Sequence, residues 1–205
     1  MDKILGLGRS VKKVLDAFAI YPQYEIFYLS EDDLGNCGDM ESYESNFSPV
    51  RLDSRLFKLR HEAEILFVIF GGAEVNGCSL RVLEMLKESD ITVLYIDPDR
   101  DLLTKRQKMN NRISLGVLQE YARSGVFEKT YLIDNRFVEK VLDNVPILGY
   151  YERLNELIVN TIHMTNDFAN TDSVYSTPNT PLATARISTF GIVDIEKDEE
   201  KLLFP

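Results

Sequence analysis

Short apolar runs recur along the chain, and stretches with apolar residues three and four positions apart separate them. Residues 3–8 are apolar and end in Gly6-Leu7-Gly8, and Val11, Val14, Leu15 and Phe18 follow at helical spacing. That order predicts strand, tight turn and helix. Residues 24–29 (YEIFYL), closed by Ser30-Glu31-Asp32-Asp33, predict a second strand. Residues 35–49 turn polar and glycine-containing and predict a loop, with a short helix expected over 54–62. The run 65–70 (ILFVIF) is the most apolar of the chain and too short for an isolated helix. Bounded by Gly71-Gly72, it has the continuous apolar character of a parallel strand buried on both faces.

A helix carrying Leu80, Leu83, Met85 and Leu86 then leads to another buried strand over 91–96. Residues 104–124 read as a longer helix with Met109, Ile113, Val117, Leu118 and Tyr121 on its apolar face. A strand at 129–133, a short helix at 137–142 and an amphipathic helix at 150–164, with Leu154, Leu157, Ile158 and Ile162, complete the rhythm. Residues 171–185, with Pro178 and Pro181, break it and predict a linker; 186–195 is strand-like and 196–201 is a charged run. Strands alternating with helices predict an α/β fold: a mostly parallel, Rossmann-like sheet with helices on both faces and ligands at the carboxyl ends of the strands. The expected division is a nucleotide-binding unit over 1–170 and an appended segment over 171–205.

Composition narrows the functions. Hydrophobic residues make up 44% of the 205 and charged residues 27%, which is globular rather than disordered. A formal net charge of −10 repels nucleic-acid backbones, so no nucleic-acid partner is expected. The one basic cluster, Arg51, Arg55, Lys58 and Arg60, is interleaved with Leu and Phe and reads as the wet face of an amphipathic segment. Cys37 and Cys78 stand in no metal-ligand spacing, so no metal site is expected and a reducing compartment is favoured. No run has the length of a membrane span, and the N-terminus lacks a signal-peptide pattern. The expected location is cytoplasmic, in the host cytoplasm if the source is viral. His61 and His163 lie in helical contexts and read as structural, and no nucleophile with a base partner presents itself.

Chemistry is expected in the loops after the strands. Glycines there let the backbone approach a phosphate, while the following helix offers free N–H groups. Gly6-Leu7-Gly8 begins such a pattern, but Val11 replaces the third glycine, and Arg9, Ser10 and Lys12 supply charge and hydrogen bonds in its place. The loop at 70–79 has the right position after a buried strand, yet Glu74 adds repulsion beside a polyphosphate.

The order of these segments resembles the tubulin/FtsZ GTPase family, more on the FtsZ side. Residues 3–8 stand where that family has its first strand and glycine loop, and Ser30-Glu31-Asp32 where its second strand ends in Asn-Thr-Asp. Residues 70–77 occupy the place of the signature GGGTGTG loop and retain Gly71, Gly72 and Gly77. Asp97-Pro98-Asp99 matches a Lys-Pro-Phe turn, and Arg106 stands where an arginine lies near the nucleotide. Ile133-Asp134-Asn135 resembles the strand ending in Ile-Pro-Asn, whose asparagine meets the base. Tyr151 and Asn155 match the central-helix aromatic that stacks on guanine and the asparagine that reads its edge; one helical turn apart, they share a face. Residues 165–170 resemble the Asn-x-Asp-x-x-Asp motif that activates water on the neighbouring subunit's nucleotide: Asp167 fits the first carboxylate, while Asn170 replaces the second and cannot act as a base. Too few residues follow Asn170 for the family's C-terminal domain, which implies a shortened member.

The resemblance implies GTP or GDP, with Mg2+, held by Gly6, Gly8, Arg9, Ser10, Gly71, Gly72, Gly77, Arg106, Asn135, Tyr151 and Asn155. It also implies a head-to-tail oligomer in which Asp167 completes the next subunit's site, with weak or absent hydrolysis because Glu74, Val75 and Asn170 oppose the chemistry. The alternative is a structural or adaptor protein that keeps the fold without the nucleotide, within a larger assembly. A Rossmann dinucleotide enzyme is disfavoured by the missing third glycine.

Overall fold

The computed structural model describes residues 1–60, 63–142, 148–171, 184–194 and 199–205. Its centre is a six-stranded parallel sheet in the order β2-β1-β3-β4-β5-β6. These strands are β1 (Lys3–Leu7), β2 (Glu25–Leu29), β3 (Glu64–Phe70), β4 (Asp90–Asp97), β5 (Lys129–Asp134) and β6 (Ile187–Ser188). Alternation along β3 divides the core in two. Ile65, Phe67 and Ile69 face one layer, with α2 (Met40–Ser45), α3 (Pro49–Leu56), α4 (Ser79–Met85) and α5 (Lys105–Arg123). Leu66 and Val68 face the other, with α1 (Lys12–Phe18), α6 (Asn135–Val141) and α7 (Tyr150–Asn170). Both faces of the strand are therefore dry, as a continuous apolar run in a parallel sheet requires.

Several elements differ from the sequence expectation. The stretch expected as a loop contains α2, started by the Asp39 carboxylate accepting from the Ser42 N–H at 2.7 Å and anchored by buried Tyr43. The helix expected over 54–62 begins earlier, with Pro49 in its first turn, a position where the missing N–H costs nothing. Residues 61 and 62, His61 among them, lie outside the described residues. The basic cluster is a wet face tied by ion pairs: Arg55 with Asp33, Lys58 with Glu25 and Arg60 with Asp53.

The long helix α5 turns an unexpected face inward. Asn110, Asn111, Ser114, Leu118 and Ala122 are buried, whereas Met109 is 65% exposed and Ile113 and Tyr121 are also exposed. Asn110 Nδ2 donates to the Gly72 carbonyl of the loop after β3 at 3.4 Å, and Asn111 is held by partners on the sheet. Asn111 Nδ2 donates to Asp97 Oδ1 at 2.7 Å, and the Tyr95 hydroxyl donates to Asn111 Oδ1 at 2.6 Å. Burial pushes the Tyr95 hydroxyl far above the ordinary phenol range, so it remains a donor.

Most of the expected linker, 172–183, lies outside the described residues, as do residue 195 of the strand-like segment and 196–198 of the charged run. The strand-like segment is two elements. β6 pairs in parallel with β5, and β7 (Gly191–Asp194) pairs antiparallel with β8 (Glu199–Leu202). Leu203 is fully buried, and its carbonyl accepts from the Asp134 N–H at 2.7 Å.

Candidate functional site

The strand order places a switch point at β1: the chain passes from β1 to β2 on one side, then crosses to β3 on the other. Loops diverge there and leave a crevice at the carboxyl edge of the sheet. A cleft of about 460 Å³ opens at this edge. Ser10 and Lys13 come from the segment after β1, Gly71 and Gly72 from after β3, and Leu102, Leu103 and Gln107 from after β4. Asn135 follows β5, and Tyr151 and Asn155 come from the first turns of α7. Of the residues expected to hold a nucleotide, Ser10, Gly71, Gly72, Asn135, Tyr151 and Asn155 thus meet in one cleft.

One wall of the cleft is suited to a base. Asn135 opens α6 beside Asp134, whose carboxylate accepts from the Arg136 N–H at 2.9 Å. The Asn135 Oδ1 is shielded from solvent and has no hydrogen-bond partner, an acceptor that lacks a donor. Tyr151 is 52% exposed, with the Tyr150 ring edge-on at 5.1 Å and Lys13 Nζ 5.9 Å from its centroid. Asn155 sits one turn further along α7. Desolvation, then a hydrogen bond with Glu139, pushes the Tyr150 hydroxyl up to about 12, so it stays protonated at neutral pH.

The floor is fixed by two buried carboxylates at adjacent strand ends. Asp97 and Asp134 are register partners on β4 and β5 and have no solvent exposure. Arg100 Nη2 donates to Asp97 and Arg136 Nη2 donates to Asp134, each at 2.7 Å. Charge-assisted bonds of this kind hold the loops after both strands, and with them one side of the cleft.

The other end of the expected site is closed by the chain itself. Gly8 has φ of 77°, the left-handed region that favours glycine, and a Cβ there would stand 2.6 Å from Val75 Cγ1. Beyond Gly8, the Arg9 N–H donates to Glu31 Oε1 at 2.9 Å, and the Arg9 Nε lies 3.3 Å from the same oxygen. Gly6 lies inside β1 beneath Val11 and Leu15, and Gly77 packs against the Met40 backbone of α2. Arg106 pairs with Glu74 at 3.7 Å and donates to the Gly38 carbonyl, while its neighbour Gln107 lines the cleft. A polyphosphate with its Mg2+ does not fit this end as it stands: a carboxylate holds the free N–H and a valine fills the room beside Gly8.

Asp167 is elsewhere. It is exposed within the last turns of α7, roughly 24 Å along the axis from Tyr151 at about 1.5 Å per residue. Nearby, Asn166 donates to the Met1 carbonyl at 2.9 Å, which fixes this end of α7 at the amino edge of the sheet. His163 stacks on Tyr21 at 3.8 Å and shares a hydrogen bond with Tyr24 at 3.0 Å, a structural role. Lys13, Gln107 and Glu31 were not among the expected site residues; Gln107 is adjacent to Arg106, and one step on a helix turns a side chain by about 100°.

An open, doubly wound parallel sheet with a cleft at its switch point defines the class: a Rossmann-like α/β fold. Neither a protein-family model nor a curated protein sequence matches the chain. Solved structures place the fold more narrowly. The GTPγS-form protofilament of TubZ from Bacillus thuringiensis serovar israelensis superposes with a TM-score of 0.71 at 15% identity, covering 87% of this chain and 59% of that one. An empty FtsZ dimer from M. jannaschii gives 0.63 at 10% identity, over 94% and 63%. CetZ from Methanosaeta thermophila gives 0.58 at 12% identity, over 85% and 56%. The chain has a tubulin/FtsZ-like fold, and it spans about six tenths of the length of the structures it matches. Among the described residues, no helix is long and apolar enough to cross a membrane.

Proposed function

We propose that this protein is a self-assembling, filament-type subunit that binds a guanine nucleotide chiefly through its base and turns it over weakly or not at all. The observation that carries the reading is the shielded, unpartnered Asn135 Oδ1 in a cleft shared with Tyr151 and Asn155. A buried acceptor without a donor is destabilising, and turning the Asn135 amide into the cleft would present it to the N–H donors of a guanine edge. Tyr151 offers a ring face for stacking, and Asn155 offers a second amide one turn away. Self-assembly is supported by the protofilament form of the TubZ neighbours. With the cleft at the carboxyl edge and Asp167 at the amino edge, head-to-tail stacking would bring one subunit's Asp167 toward the next subunit's cleft, and contacts of this type extend into open filaments.

The test is thermal melting of wild type and Tyr151→Ala with guanosine and with GTP plus Mg2+. A ligand at a hundred times its dissociation constant adds about 2.7 kcal/mol of stability. Wild type is expected to shift and Tyr151→Ala to melt at the wild-type temperature without a shift. No shift of wild type with either ligand at millimolar concentration would sink the proposal. A second reading, a structural subunit that has lost nucleotide altogether and assembles within a larger complex, is favoured by the closed phosphate end. It expects that null result together with retained assembly.

A further inference from the structure

The closure of the phosphate end goes further than a loss of glycines. We infer that Glu31 is a built-in anion that selects the ligand: the cleft takes a guanine nucleoside lacking a polyphosphate chain in preference to a triphosphate. The inference rests on the base-binding reading above and names the chemical class that the same cleft accepts.

In a parallel α/β sheet, the N–H groups just after the first strand are where a phosphate is held. Here the Gly8 N–H donates to the Leu29 carbonyl at 2.8 Å, and the next, on Arg9, donates to the Glu31 carboxylate at 2.9 Å, with the Arg9 side chain 3.3 Å from the same oxygen. A carboxylate accepting an N–H there supplies the negative charge and acceptor that a phosphate would bring. Glu31 is fixed in place because it opens the turn that leaves β2 and its backbone carbonyl accepts from Asn36 N at 2.7 Å. Steric closure is independent of the charge. The Val75 side chain lies over Gly8, in the space that backbone approach to a phosphate needs. The remaining cation of the expected set, Arg106, is turned to Glu74 and the Gly38 carbonyl. Glu31 and Glu74 therefore occupy the two arginines that a polyanion would need at this end.

The experiment is calorimetric titration of guanosine and of GTP with Mg2+ into wild type, Glu31→Gln and Val75→Ala. Glu31→Gln keeps an oxygen to accept the Arg9 N–H and removes the charge, so its fold is expected to hold. Wild type is expected to bind guanosine at least as tightly as GTP. Glu31→Gln is expected to bind GTP about tenfold more tightly, with guanosine unchanged. Val75→Ala, which makes room without altering charge, is expected to move GTP in the same direction by a smaller factor. GTP bound more tightly than guanosine by wild type, and unchanged by Glu31→Gln, overturns the inference while leaving the base-binding reading intact. Absence of binding by either ligand to wild type and both variants overturns both.

Discussion

Single residues carry the most specific consequences. Cys78 is fully buried, and desolvation pushes its thiol up to about 12, so it stays protonated at neutral pH. Cys37 is only partly buried. Iodoacetamide on the native protein is expected to add one label, at Cys37, and two labels after denaturation, read by intact mass. Gly77 has the Met40 backbone where a Cβ would stand, so Gly77→Ala must displace α2 rather than rotate a side chain. An overpacking cost of about 2–3 kcal/mol is expected, measured as a lowered urea midpoint. That Asn135, Tyr151 and Asn155 share one cleft followed from the family resemblance, which set them at a strand end and on one helix face. The contact of Glu31 with Arg9 was not legible in the sequence, because only the fold brings the two near.

At the scale of elements, legibility followed how each segment is stabilised. β3 and β4 were readable because burial on both faces demands uninterrupted apolar residues. The helix α2 was not, since one cap and one buried tyrosine leave no periodic signal. The facing of α5 was misread for a different reason. Hydropathy assigned Met109 and Ile113 inward, but the sheet beneath presents Asp97 and Tyr95, which bind Asn111 instead. A buried polar network outweighs an apolar stripe when every member is satisfied. Asn111→Ala would leave one Asp97 oxygen short of a donor and the Tyr95 hydroxyl with only its 3.1 Å bond to the backbone carbonyl of residue 111. A loss of about 2–3 kcal/mol in chemical denaturation is expected, whereas Met109→Ala, at an exposed position, is expected to change stability by less than about 0.5 kcal/mol.

For the whole molecule, the separation of the cleft from Asp167 is the feature on which the proposed link between binding and assembly rests. The two sites lie at opposite edges of one sheet, so neither contacts the other within a subunit. Asp167→Lys is expected to leave guanosine affinity of the monomer unchanged and to weaken assembly in analytical ultracentrifugation. Equal assembly by the variant would show that the amino edge is not the lower contact. The central claim, that the wall formed by Asn135, Tyr151 and Asn155 receives a guanine base, is tested most directly by following the asparagine side-chain amides in a two-dimensional 15N–1H spectrum during titration with guanosine. The Asn135 and Asn155 side-chain signals are expected to move together and saturate, while those of Asn166 and Asn170 at the far edge stay in place. Unmoved Asn135 and Asn155 signals at millimolar guanosine, or movement confined to the far edge, would contradict it.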